Sequence, residues 1–146
     1  MPEYTERISE VMYPLATEYA DSLGPAVLSS AWVSMENYHR GWLYLNVGDI
    51  SADTTVDAYL QQATTVGGAG GKAITGKAIT QLTAGDDDSL CCIELQTEEM
   101  DVTNLFDFVR VVVHINGSTA ELAYSFFGCV PRYAPTVTTN WTEIVG

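Results

Sequence analysis

The chain has 146 residues, 47% of them apolar and 17% charged, the balance of one folded domain rather than a disordered segment. Its 6 Lys and Arg stand against 19 Asp and Glu, a net charge of −13. A surface this acidic repels phosphate backbones and anionic lipid, so neither nucleic acid nor a membrane is an expected partner.

The first 25 residues differ from the rest. The opening Met1-Pro2-Glu3-Tyr4-Thr5-Glu6 is acidic and lacks the basic and apolar regions of a signal peptide. Tyr4, Ile8, Met12, Leu15, Tyr19 and Leu23 recur at spacings of three and four, a helical stripe that Pro14 interrupts. This pattern predicts an N-terminal arm over residues 1–25, built of short helical or irregular segments and closed by Gly24-Pro25. From residue 27 the pattern is β. Val27–Met35, Gly41–Val47, Thr54–Ala63, Lys72–Leu82, Ser89–Thr97, Phe106–Ile115 and Ala120–Val130 are rich in β-branched and aromatic residues, and turn residues bound each run. Trp42, Tyr44 and Asn46 alternate with Leu43, Leu45 and Val47, as a half-buried strand requires. The expectation is an all-β body over residues 26–135, a β-sandwich or jelly roll of about seven to eight antiparallel strands. Residues 136–146 read as an extended C-terminal tail.

No motif assembles a catalytic site. Gly71-Lys72-Ala73-Ile74-Thr75-Gly76-Lys77 fits the spacing of a phosphate loop, but Ala78 replaces the magnesium-binding hydroxyl. The flanking residues read as β rather than as the required strand and helix, so the expected structure is a loop over Gly67–Gly71 and a bulge at Gly76. Only His39 and His114 are available as imidazole ligands, far apart in sequence, and Asp86-Asp87-Asp88 lacks the spacing of a calcium loop. No Ser sits in a nucleophile elbow, and nothing selects a carboxylate pair among the 19 acids. We therefore expect no enzyme activity, no catalytic residue, no cofactor and no metal. Three cysteines, two of them adjacent at Cys91 and Cys92 with Cys129 apart, read as reduced thiols rather than a disulfide framework. The sequons at Asn116 and Asn140 lose their meaning without a secretory signal.

Aromatic residues are the remaining signal. Tyr and Trp are efficient interface anchors, and several lie in the predicted arm and tail. Tyr4, Ile8, Met12, Tyr13, Leu15, Tyr19 and Trp141 are accordingly the expected partner-contact residues.

Three stretches carry a family resemblance. Met35-Glu36-Asn37-Tyr38-His39-Arg40-Gly41-Trp42-Leu43, followed by Gly48-Asp49-Ile50, is similar to a segment of small tailed-phage virion proteins. Leu60–Thr64 with Gly67–Thr75, and the closing Val130-Pro131-Arg132-Tyr133-Ala134, resemble them as well, so the likeness covers roughly residues 30–135. It implies a capsid decoration (cement) protein: non-enzymatic, located on the capsid exterior of the virion, self-associating as a homotrimer, and bridging subunits of the major capsid protein. On this reading, removing residues 1–25 leaves a folded domain that no longer decorates shells. The competing readings are another virion part (a head–tail joining or tail subunit), a carbohydrate-binding module using Trp32, Trp42 or Trp141, and an enzyme built from scattered carboxylates.

Overall fold

The computed structural model describes residues 7–133 and 141–145. One helical turn, α1 (Ile8–Val11), precedes ten strands: β1 (Met12–Leu23), β2 (Ala26–Ser29), β3 (Val33–Ser34), β4 (Tyr38–Ile50), β5 (Thr55–Ala63), β6 (Lys72–Ala78), β7 (Leu82–Thr83), β8 (Ser89–Gln96), β9 (Phe108–Asn116) and β10 (Ala120–Pro131). They form two antiparallel sheets, one ordered β1-β10-β4-β8 and the other β2-β9-β5-β6. β3 continues the β2 edge along β9, and β7 continues the β6 edge along β5. Taking β2 with β3 and β6 with β7 as one edge each, consecutive strands pass from one sheet to the other except at β5 and β6, which is the wrapped Greek-key path of a jelly roll. The expected all-β sandwich is therefore present.

Alternation sets the core. β10 turns Ala120, Leu122, Tyr124 and Phe126 inward, and β4 turns Leu43, Leu45 and Val47 inward opposite them. Val109, Val111, Val113 and Ile115 of β9, with Val56, Ala58 and Leu60 of β5, close the layer from the other sheet. A run of inward β-branched residues fits a pleated, buried surface. Two of the predicted strands are each broken into a pair: Val27–Met35 yields β2 and β3, and Lys72–Leu82 yields β6 and β7. Gly76 takes φ +76 inside the irregular part of the β5–β6 pairing.

The helical reading of residues 1–25 is corrected. Among the described residues of this segment only Ile8–Val11 is helical; Met12–Leu23 is an edge strand of the first sheet, paired along β10 from Met12↔Cys129 to Leu23↔Ala120. Pro14 does not break it, because an edge strand tolerates a missing N–H and the register shifts between Pro14 and Ala16. Tyr13 anchors the strand. It is 2% exposed, its ring lies 6.1 Å from that of Tyr38, and its hydroxyl donates to the Glu10 carbonyl at 2.8 Å. Space for these rings comes from the cross-strand pair Gly41 and Gly128: a Cβ on Gly128 would fall 2.7 Å from the Tyr38 ring, and one on Gly41 2.6 Å from Phe126.

Removing residues 1–25 therefore strips an edge strand from the sandwich rather than trimming an arm. Tyr13→Ala is expected to destabilise the protein by about 3–5 kcal/mol, the scale of deleting a buried aromatic, read as a lower urea midpoint. Tyr124 has its phenol pushed up to about 12, first by burial and then by the Glu18 carboxylate. The fold thus favours the neutral phenol, and its contribution is complete below pH 10 and lost as pH rises towards 12. Tyr124→Phe should keep stability in that window that the parent protein loses, measured by urea unfolding at pH 9, 10 and 11.

Candidate functional site

The outward face of the first sheet carries a row of aromatic rings. Phe127 of β10 is the direct cross-strand partner of Trp42 of β4, and their rings stack 5.8 Å apart at 28°. Tyr44, two residues along β4 on the same face, meets Trp42 edge-on at 5.7 Å. Trp141 also packs on Phe127, its ring tilted 35° at 6.1 Å. Cross-strand aromatic pairs of this kind stiffen a sheet face.

Trp141 brings the two chain ends together. Ile8 and Ser9, near the start of the described chain, line a hollow of about 480 Å³ with Trp141, Glu143, Ile144 and Val145. Its apolar rim is open to solvent: Ile8 is 72% and Val145 87% exposed. The Trp141 indole N–H is buried with no acceptor among the described residues.

The structure divides the seven residues expected to touch a partner. Ile8 and Trp141 are united in the hollow. Met12 is half-buried beside Cys129 on the outer sheet face. Tyr13 is corrected to a core residue, and Leu15 packs against the core from β1, because alternation along a strand, not a helical stripe, governs this segment. Tyr19 stands alone on β1, 81% exposed. Tyr4 lies outside the described residues.

A second cavity, of about 680 Å³, opens at the end of the sandwich between Met35, His39, Arg40, Met100, Asp107 and Arg132, among others. The Met35–Tyr38 element that carries the sequence resemblance frames it. Met35 lies in the core, and Tyr38 covers Gly128. Asn37 holds the end of β10: its carbonyl accepts from Arg132 N at 2.7 Å, its Oδ1 accepts from Tyr133 N at 3.1 Å, and its Nδ2 donates to the Tyr133 carbonyl at 3.3 Å. The motif is thus a strand clamp. Val130 lines the same cavity at φ +53, a strained conformation for a β-branched residue.

The tempting motifs resolve into structural parts. The Gly-rich loop folds under Trp32, with Gly68 at φ +85 where a Cβ would fall 2.4 Å from the indole nitrogen. Lys72 pairs with Asp101 at 2.5 Å and Lys77 with Glu99 at 2.8 Å, so neither is poised for a phosphate. These lysine hydrogen bonds hold both carboxyls below their ordinary values. Asp86 Oδ2 accepts from Thr83 N at 2.8 Å, and Asp87 Oδ1 accepts from Ile50 N at 2.8 Å, so two acids of the Asp triplet staple turns. Among the described residues no group of three or more His, Cys, Asp or Glu is placed to hold a metal ion.

No family model matches the chain, and no curated protein matches it. Among solved structures it is similar to one of Desmodium yellow mottle tymovirus, with a TM-score of 0.40 and 11% identity over 87% of this chain and 89% of that chain. A Yersinia pseudotuberculosis-derived mitogen gives 0.39 and 17% over 90% and 98%. Turnip yellow mosaic virus gives 0.35 and 13% over 93% and 89%. A virus and a bacterial mitogen stand at the same level, so these likenesses do not discriminate among functions.

The three thiols differ in environment. Burial pushes up the Cys91 thiol, with Cys92 and Asp86 adding to it; burial also raises Cys129, against an opposing effect of Arg40. Cys92 is exposed on the outer face. Alkylation at pH 8 should modify Cys92 first and leave Cys91 and Cys129 slow, resolved by peptide mass spectrometry. Equal rates at all three would contradict this arrangement.

Proposed function

We propose that this chain is a non-enzymatic structural protein of a virus particle, a decoration protein on the outer surface of a tailed-phage head that bridges major capsid subunits. The observation that carries the proposal is the chain-end hollow: Trp141 is braced by Phe127, while Ile8, Ile144 and Val145 stay open on an otherwise acidic body. Exposed apolar surface with a polar surround marks a protein contact. The sequence resemblance over roughly residues 30–135 favours the same reading. Each contact would be small, and a lattice of identical subunits multiplies it. Self-association as a homotrimer belongs to this proposal and is read by analytical ultracentrifugation.

The decisive experiment is the protein composition of purified particles. A copy number comparable with the major shell protein supports decoration. A single ring's worth of copies would assign the chain to head–tail joining instead, and absence from the particle would discard the reading. The double variant Ile8→Asp, Val145→Asp changes two exposed side chains and should leave thermal unfolding within about 0.5 kcal/mol of the parent. It should lower binding to undecorated shells at least about tenfold in a cosedimentation assay.

A further inference from the structure

Three tryptophans offer themselves as platforms for a ligand ring, and they differ in what surrounds them. Trp32 is enclosed by Gly68 and Gly71, with the Arg110 guanidinium 4.6 Å from its ring. Trp141 lies against Phe127 in the chain-end hollow. Trp42, half-buried, stacks on Phe127 of β10 and meets Tyr44 edge-on, while its strand is flanked on the other side by β8, where a groove opens. Glu94 of β8 is its direct cross-strand partner, and Arg40 faces Gln96 two pairs along, on the same face.

These four side chains project from one face of two paired strands. Cross-strand neighbours stand about 5 Å apart, and same-face residues on one strand about 7 Å apart. That is a patch the size of one sugar ring. It lies in a shallow groove of about 270 Å³ that reaches Met12 and Cys129 on one side and the Lys77–Glu99 ion pair on the other. The side chains of Arg40 and Glu94 make no hydrogen bond or salt bridge among the described residues. An indole face beside an unpaired carboxylate and an unpaired guanidinium presents one apolar plane, one acceptor and one set of donors. A pyranose matches it, with C–H groups on a ring face and hydroxyls that both donate and accept at the rim. The groove lining balances Glu94 and Glu99 against Arg40 and Lys77, so it is the chain's net charge of −13 that disfavours carboxylated or sulfated sugars.

We propose that Trp42, Glu94 and Arg40 form a binding site for one neutral pyranose residue of a glycan. Glu94 accepts hydroxyl protons, Arg40 donates to hydroxyl oxygens, and Trp42 receives the ring face. The site stands independently of the decoration reading.

The test titrates the full chain with glucose, galactose, mannose, N-acetylglucosamine and their short oligomers. It follows tryptophan fluorescence and calorimetry. The expected result is saturable binding with a dissociation constant of about 0.1–10 mM, and glucuronic acid weaker by at least about tenfold. Trp42→Ala should weaken binding at least about tenfold. Because Trp42 also braces Phe127, Glu94→Ala serves as the second variant: it changes an exposed side chain, should keep the parent's melting temperature, and should lose binding to a similar degree. No saturable binding by any of these sugars up to about 50 mM would overturn the proposal. So would binding that both variants leave unchanged, or a preference for the acidic sugar.

Discussion

The dipeptide Phe126-Phe127 joins the inside of this protein to its outside. Neighbours on a strand point to opposite faces, so one strand sends Phe126 into the core and Phe127 onto the outer surface. Phe126 is fully buried opposite Leu43, against the space that Gly41 leaves open. Phe127 packs against both Trp42 and Trp141. Because β10 lies between β1 and β4, its register positions both neighbours at once. A slip of one residue would expose Phe126 and bury Phe127, so the core specifies the outer aromatic row as firmly as it specifies itself.

The strands of the body were legible because their alternation is plain. In β4 and β10 nearly every second residue is buried, and Gly, Asn and Asp mark the ends. β1 was not legible, for a physical reason. An edge strand is half exposed and can carry Pro, so its pattern is diluted and its spacings mimic a helix. Tyr13 and Leu15, two apart around Pro14, were the available signal for a strand. The outer sites were only partly legible. Composition and spacing pointed to contact residues that include Ile8 and Trp141, and these two line the same hollow. Nothing in the sequence separates Trp42 from Trp32, because that distinction depends on a glycine loop, 36 residues further along the chain in the case of Gly68, folding over one and not the other.

The scarce cations have a structural task that the net charge conceals. Lys72 and Lys77, both on β6, reach Asp101 and Glu99 in the connection between β8 and β9. They tie the edge of one sheet to the segment that leaves the other. Arg110 is held by Gln61 at 2.7 Å and lies over Trp32. Exposed ion pairs add little stability individually. Their use here is positional, since the connection they fix forms one wall of both the end cavity and the Trp42 groove.

The two outer surfaces differ in how they are held, and that difference suits them to different ligands. Trp42 and Glu94 stand on neighbouring strands in fixed register, backed by Phe127, so their spacing is set before anything binds. Preorganisation of this kind suits a small ligand, which has few contacts with which to offset the ordering of loose side chains. The chain-end hollow rests on one indole tilted against Phe127 and a single helical turn. A short helix and an extended segment hold each other only weakly. A macromolecular partner covers enough apolar area to order such a surface as it docks, whereas a small ligand does not. The rigid patch and the adaptable one are thus joined through Phe127, whose ring packs against both Trp42 and Trp141.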